Sequence, residues 1–152
     1  TATTCLYWCL YGAIALKDQG LRRKVIRHLS QFSKADFDSQ FYSMYRFLEV
    51  IVALEDSDYE QALRYLKNRL RRQSIEEISG MKGVLSFLVH LVSSWEADPK
   101  SRQQMKSEVI ETVVSLTTSS MVLDYFDLAV WLESQRMGCS MLEAIQHQAA
   151  NP

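Results

Sequence analysis

Apolar side chains return every three or four positions along almost the whole chain, and no stretch alternates strictly between apolar and polar. That period belongs to the α-helix, whose residues advance by about 100° each, and not to the strand. Polar breaks divide the pattern into eight candidate helices. The first runs from about Cys5 to Lys17 and closes over Asp18 to Gly20, with Gly20 suited to a left-handed cap. The second, Leu21 to Phe32, gathers Val25, Ile26, Leu29 and Phe32 on one side and leaves Arg22, Arg23, Lys24 and Arg27 largely elsewhere. A third, capped by Asp36 or Asp38, carries a wide apolar face from Phe41 to Leu54 and ends at Glu55. "EDSD" turns the chain into a fourth helix, Tyr59 to about Arg72.

Ser74 and Glu77 have the spacing of a capping box, which predicts a fifth helix running to about Trp95, with Gly80 and Gly83 as weak points or sites of close packing. Pro99 biases Asp98 out of the helical region and makes "EADPKS" the clearest break. Beyond it the pattern predicts a sixth helix from about Ser101 to Leu116, a seventh from Val122 to Arg136, and a short eighth from Ser140 to about His147. Short connections imply antiparallel neighbours, so the expected fold is all-α, built of stacked helical hairpins. Residues 1–152 read as a single domain, any subdomain boundary falling near 97–100. Five Gly and two Pro in 152 residues suit such long helices.

"SDYEQALRYLKNRLRR", Ser57 to Arg72, reads as the second half of one hairpin. Asp58 and Tyr59 at the turn, the small Ala62, and Leu66 four positions on resemble the tetratricopeptide repeat. Trp8 and Gly12, four apart and followed by "KDQG", resemble its first helix, and "YFDLAVWLESQRMGCSMLEAI" adds a further helix, glycine turn and short helix with Ala144. The pattern is degenerate: Val50, Arg69, Ser74 and Lys24 replace family residues, and Gly12 and Val50 stand 38 residues apart. Together these segments resemble the C-terminal helical-repeat region of large, mostly uncharacterised bacterial proteins. The resemblance implies a tetratricopeptide-like α-α superhelix whose concave side is open to a protein partner. Its motifs are packing motifs, and it implies no catalytic residue and no cofactor.

Charge and candidate chemistry sharpen this picture only in places. A formal net charge of −1 gives no global attraction to nucleic acid or anionic membrane. The most apolar run, Val84 to Val92, is interrupted by Ser86 and His90 and is too short to span a bilayer. The chain starts at Thr1 without an initiator Met, and the uncharged front of its first helix lacks the cationic region of a signal peptide, so the expectation is a fragment or processed product of a longer protein. Cys5, Cys9 and Cys139 lack CxxC spacing, and reduced, core-facing thiols in a cytoplasmic protein are expected.

His28, His90 and His147 lie in no metal-binding motif; Glu143 and His147, four apart, read as an ordinary polar pair, and His90, among Leu88, Val89, Leu91 and Val92, reads as a core or interface histidine. No nucleophile motif and no phosphate-binding loop is present, so an enzyme is not expected. What remains is basic charge on the second and fourth helices. Arg22, Arg23 and Arg27, then Arg64, Lys67, Arg69, Arg71 and Arg72, are the candidate partner-binding residues, with Lys24 beside them. They suit an acidic protein or peptide segment. The alternative is a regulatory nucleic-acid-associated domain, weakened by the absence of interleaved aromatics.

Overall fold

The computed structural model describes residues 1–72 and 78–151, and these form an all-helical chain with no strand among them. Eight α-helices occur among the described residues: α1 (Ala2–Ala15), α2 (Gln19–Leu29), α3 (Ser39–Glu55), α4 (Tyr59–Arg72), α5 (Met81–Ala97), α6 (Ser107–Thr118), α7 (Leu128–Met137) and α8 (Met141–Ala150). Single 3-10 turns lie at Lys34–Asp36, Pro99–Arg102 and Val122–Asp124.

The first two hairpins close by one shared construction. Lys17 (φ 54°) and Ser57 (φ 56°) take the left-handed conformation. The next residue bonds back across the turn, Asp18 N to Ala13 O at 2.9 Å and Asp58 N to Ala53 O at 2.8 Å. Each of those aspartates then caps the following helix, accepting from Leu21 N at 2.9 Å and from Gln61 N at 3.1 Å. Gly20, expected as the left-handed cap, instead lies inside α2, because Asp18 already supplies the cap one residue after Lys17. The turns also fix the internal register at 40 residues, not the 38 read from Gly12 and Val50. In that register Arg22, not Lys24, stands at the position of the buried Ala62. A third left-handed turn, at Gly138, joins α7 to α8, which Ser140 and Glu143 cap reciprocally.

Helix α3 sits at the centre. Its buried side chains include Met44, Phe47, Leu48, Val50, Ile51 and Leu54, and it packs against α1 and α4. Further pairings run α4 to α5, α5 to α6, α6 to α7 and α7 to α8, and α8 comes back to α1. Tyr7 of α1 donates to the Tyr125 carbonyl at 2.7 Å, and Phe41 and Phe47 of α3 meet Tyr125 and Phe126 edge-on. Contacts thus cross the Pro99 break and join chain ends that a stack limited to neighbouring hairpins would hold apart.

Several boundaries differ from the periodicity for local reasons. Asp98 caps a 3-10 turn at Pro99–Arg102, so α6 begins only at Ser107, and Asp127 caps α7 at Leu128 through the Val130 amide. Ser74 and Glu77 lie outside the described residues. Cys5 and Cys9 are free but exposed, correcting the core-facing expectation: they sit on the side of α1 away from Thr3, Tyr7, Leu10 and Ile14. His90 is also exposed, since it stands two positions from both Leu88 and Val92 and so is turned about 200° from that buried stripe.

Gly80 starts α5 at φ 81°, and a Cβ there would run into Ser120 Cβ and come within 3.0 Å of its Cα. The neighbouring Ser79 carbonyl accepts from Met121 N at 3.1 Å, so the α6–α7 connection lies directly against this glycine. Gly80→Ala is therefore expected to lower unfolding free energy by about 1–3 kcal/mol through overpacking and a strained left-handed φ. Urea denaturation midpoints beside a Gly12→Ala control, where a Cβ meets nothing within 4 Å, would check it.

Candidate functional site

Helices α2 and α4 hold nine of the chain's seventeen Lys and Arg residues and one of its eighteen Asp and Glu residues. Helix formation places these side chains by simple geometry. The apolar stripe Val25, Leu29 in α2 and Ala62, Leu63, Leu66 in α4 turns inward, and most cations fall on the opposite arc. Arg23, Lys24, Arg27, Arg64, Lys67, Arg71 and Arg72 are exposed. In the 40-residue register Lys24 matches Arg64 and Arg27 matches Lys67, so the two helices present cations at equivalent places. Arg64 makes a loose pair with exposed Glu60 at 3.6 Å; the other six make no ion pair among the described residues. Last-turn cations such as Arg71 and Arg72 are also favoured by the helix dipole.

Two of the sequence-derived candidates have internal roles. Arg22 is 3% exposed and reaches Asp56 in the α3–α4 turn at 2.5 Å. Arg69 donates to the Ser43 carbonyl at 2.6 Å and to Ser43 Oγ at 2.7 Å, tying α4 to α3. Alongside, Arg46 lies 2.6 Å from Glu49 Oε2 and stacks its guanidinium 5.6 Å from the Tyr65 ring centre. That ion pair is close but poorly aligned, leaving Oε2 without a hydrogen-bond donor among the described residues. Burial pushes the Glu49 carboxyl above its ordinary range, and Arg46, Tyr45 and Arg69 draw it back only in part.

Sequence reasoning missed a densely connected cation, Arg102, because its segment reads only as the start of the sixth helix after the Pro99 break. Its guanidinium donates to the Leu54 carbonyl at 2.7 Å, to Tyr59 Oη at 3.3 Å and to Gln135 Oε1. It lies 5.9, 5.3 and 6.0 Å from the ring centres of Tyr59, Trp95 and Trp131. Glu55 completes the group, accepting from Trp131 Nε1 at 2.8 Å and Gln135 Nε2 at 3.2 Å. This is an aromatic cage filled by the chain's own cation, and it fastens the 3-10 turn to α3, α4, α5 and α7.

A cleft of about 340 Å³ opens between α6, α7 and α8, lined by Ile110, Glu111, Val114, Glu133, Arg136 and others. Glu133 and Arg136 pair with each other there. No group of three or more His, Cys, Asp or Glu side chains converges in a metal-binding arrangement among the described residues. Glu143 is engaged by Ser140, and His147 lies 3.3 Å from Asn151, so these two do not form the pair their spacing suggested. No family model, curated protein or solved structure matches the chain.

Two outcomes follow from the internal charges. Arg102→Met should cost about 2–4 kcal/mol, because Gln135 Oε1 loses the guanidinium donor and the Leu54 carbonyl keeps only the Ser57 amide. Arg102→Lys should recover little, since one ammonium cannot reproduce the planar fork; urea unfolding of both variants checks this. For Glu49 the folded state holds its proton more tightly than the unfolded chain. That contribution to stability is full below the ordinary glutamate range and is lost as pH rises through the folded value. Glu49→Gln should therefore raise the melting temperature relative to the parent at neutral pH, with the gain vanishing near about pH 4.

Proposed function

We propose that the protein is a non-catalytic scaffold of tetratricopeptide-like hairpins that captures an acidic protein segment on the exposed basic face of α2 and α4. The observation that carries this reading is the repeated, exposed set Lys24 and Arg27, Arg64 and Lys67, flanked by Arg23, Arg71 and Arg72, on a chain whose remainder is acidic. Arg and Lys held on well-packed helices select carboxylates by charge and, for Arg, by paired hydrogen bonds. The anchoring of α4 through Arg69 and of α2 through Arg22 supports a surface fixed in shape before a partner arrives.

An acidic protein fits this face better than single-stranded nucleic acid. Helix α2 has no aromatic residue, and Tyr59 and Tyr65 of α4 are half-buried and already engaged by Arg102, Arg46 and Gln61. Among the described residues no helix is long and apolar enough to cross a membrane. The free thiols Cys5, Cys9 and Cys139 support a reducing, cytoplasmic setting in a bacterial cell.

The test is affinity capture from native lysate. The parent chain is compared with a variant carrying Glu at Arg23, Lys24, Arg64, Lys67, Arg71 and Arg72, while Arg22 and Arg69 stay intact to preserve folding. Reversal should reduce recovery of an acidic protein by about tenfold or more, read by mass spectrometry with helicity checked by circular dichroism. Equal recovery by both chains would overturn the reading, and selective loss of nucleic acid would replace it with a phosphate-binding one.

A further inference from the structure

The tip of the first hairpin carries apolar side chains that its construction does not require. Leu16, at the end of α1, is 58% exposed, and Leu21, in the first turn of α2, is 40% exposed. Between them stands the left-handed Lys17. The second hairpin closes its turn with the same backbone bonds and the same aspartate cap, yet 40 residues on from the two leucines it has Asp56 and Gln61. The turn is thus built equally well from polar residues, and the leucines answer to something outside the hairpin.

The surroundings state what kind of surface that is. Residues 1–35 contain six Lys and Arg and one acid, Asp18, whose carboxylate is held by the Leu21 amide. Lys17, Arg23, Lys24 and Arg27 are exposed around the tip, and Leu21 shares the exposed arc of α2 with Lys24 and His28. Along α1, which has no charged residue at all, Trp8 is 45% exposed, a residue type suited to the boundary between water and lipid. A second copy of the chain would bring these cations against their own kind, whereas an anionic bilayer complements them while accepting the leucines.

We propose that the α1–α2 tip docks on an anionic lipid surface, with Leu16 and Leu21 entering the headgroup boundary and Lys17, Arg23, Lys24 and Arg27 meeting headgroup phosphates. The docking is peripheral and does not rest on the scaffold reading. Lipid held at this tip would occupy Arg23, Lys24 and Arg27, which the proposed protein-binding face also uses, and leave the α4 cations to a protein partner.

Co-sedimentation with phosphatidylcholine vesicles, with and without phosphatidylserine, tests it. The parent chain should sediment with the phosphatidylserine vesicles, weakly or not at all with the neutral ones, and less as salt rises. The double variant Leu16→Asp, Leu21→Gln imports the residues of the second hairpin and so should keep its helicity while its vesicle binding falls about tenfold. A second variant, Arg64→Glu with Lys67→Glu, should bind vesicles like the parent, which separates the tip from the α4 half of the protein-binding face. Failure of the parent to sediment, undiminished binding of the double variant, or self-association through the tip without vesicles would each overturn the proposal.

Discussion

Everything in this fold is arranged around a helix that cannot face water. From Phe41 to Glu55, every side chain of α3 is buried or half-buried. A helix apolar on all sides persists only when neighbours cover it, and burying each large side chain is worth about 1.5–3 kcal/mol against the conformational entropy lost. Helix α4 covers it within its own hairpin, α1 from the preceding one, and the segment from Tyr125 to Gln135 covers it from far along the chain. Its C-terminal end is closed by two guanidinium groups, Arg22 on Asp56 and Arg102 on the Leu54 carbonyl. Those cations add positive charge at the negative end of the helix dipole, whose carbonyls at Val52, Ala53 and Leu54 are already met by the turn amides of Asp56, Asp58 and Ser57.

This arrangement sorts the basic residues of the chain into two kinds. Arg22, Arg46, Arg69, Arg102 and Arg136 each have a named acceptor or acidic partner within the molecule, and each sits where two elements meet or one turn apart on a helix. The exposed cations of α2 and α4, apart from the loose Arg64–Glu60 pair, have no such work among the described residues. They concentrate on two helices while the acids gather elsewhere, from Glu96 and Asp98 through Glu108 and Glu111 to Glu143. A molecule with nearly zero net charge can therefore still present a strongly oriented field.

The helices themselves were legible because the 3.6 period is local, whereas the cap at Asp18 was not, since Asp18 to Gly20 read only as a break ending in a glycine cap. Legibility failed where a side chain's partner lies far along the chain. Arg22 looks like a surface residue until Asp56, 34 residues away, is placed beside it, and Arg102 has acceptors on three other elements. It failed also where a helix offers no polar contrast. With no charge in α1 to mark the wet side, Cys5 and Cys9 could be assigned inward as easily as outward. The candidate basic face was visible in the sequence, but its register was not, since the 38-residue reading followed Gly12, a glycine that no close approach requires.

The bond from Tyr7 to the Tyr125 carbonyl spans 118 residues of chain, and Tyr11 Oη accepts from the Asp127 amide across a similar distance in sequence. A ribosome adding roughly 5–20 residues each second needs several seconds to deliver those partners after α1 has emerged. Through that interval the aromatic side of α1 has only its own hairpin and α3 to shelter it. Such long-range closure slows folding and lengthens the window in which sticky surface is on show. These helices are most vulnerable to aggregation, and most in need of a chaperone, while α1 waits for those partners.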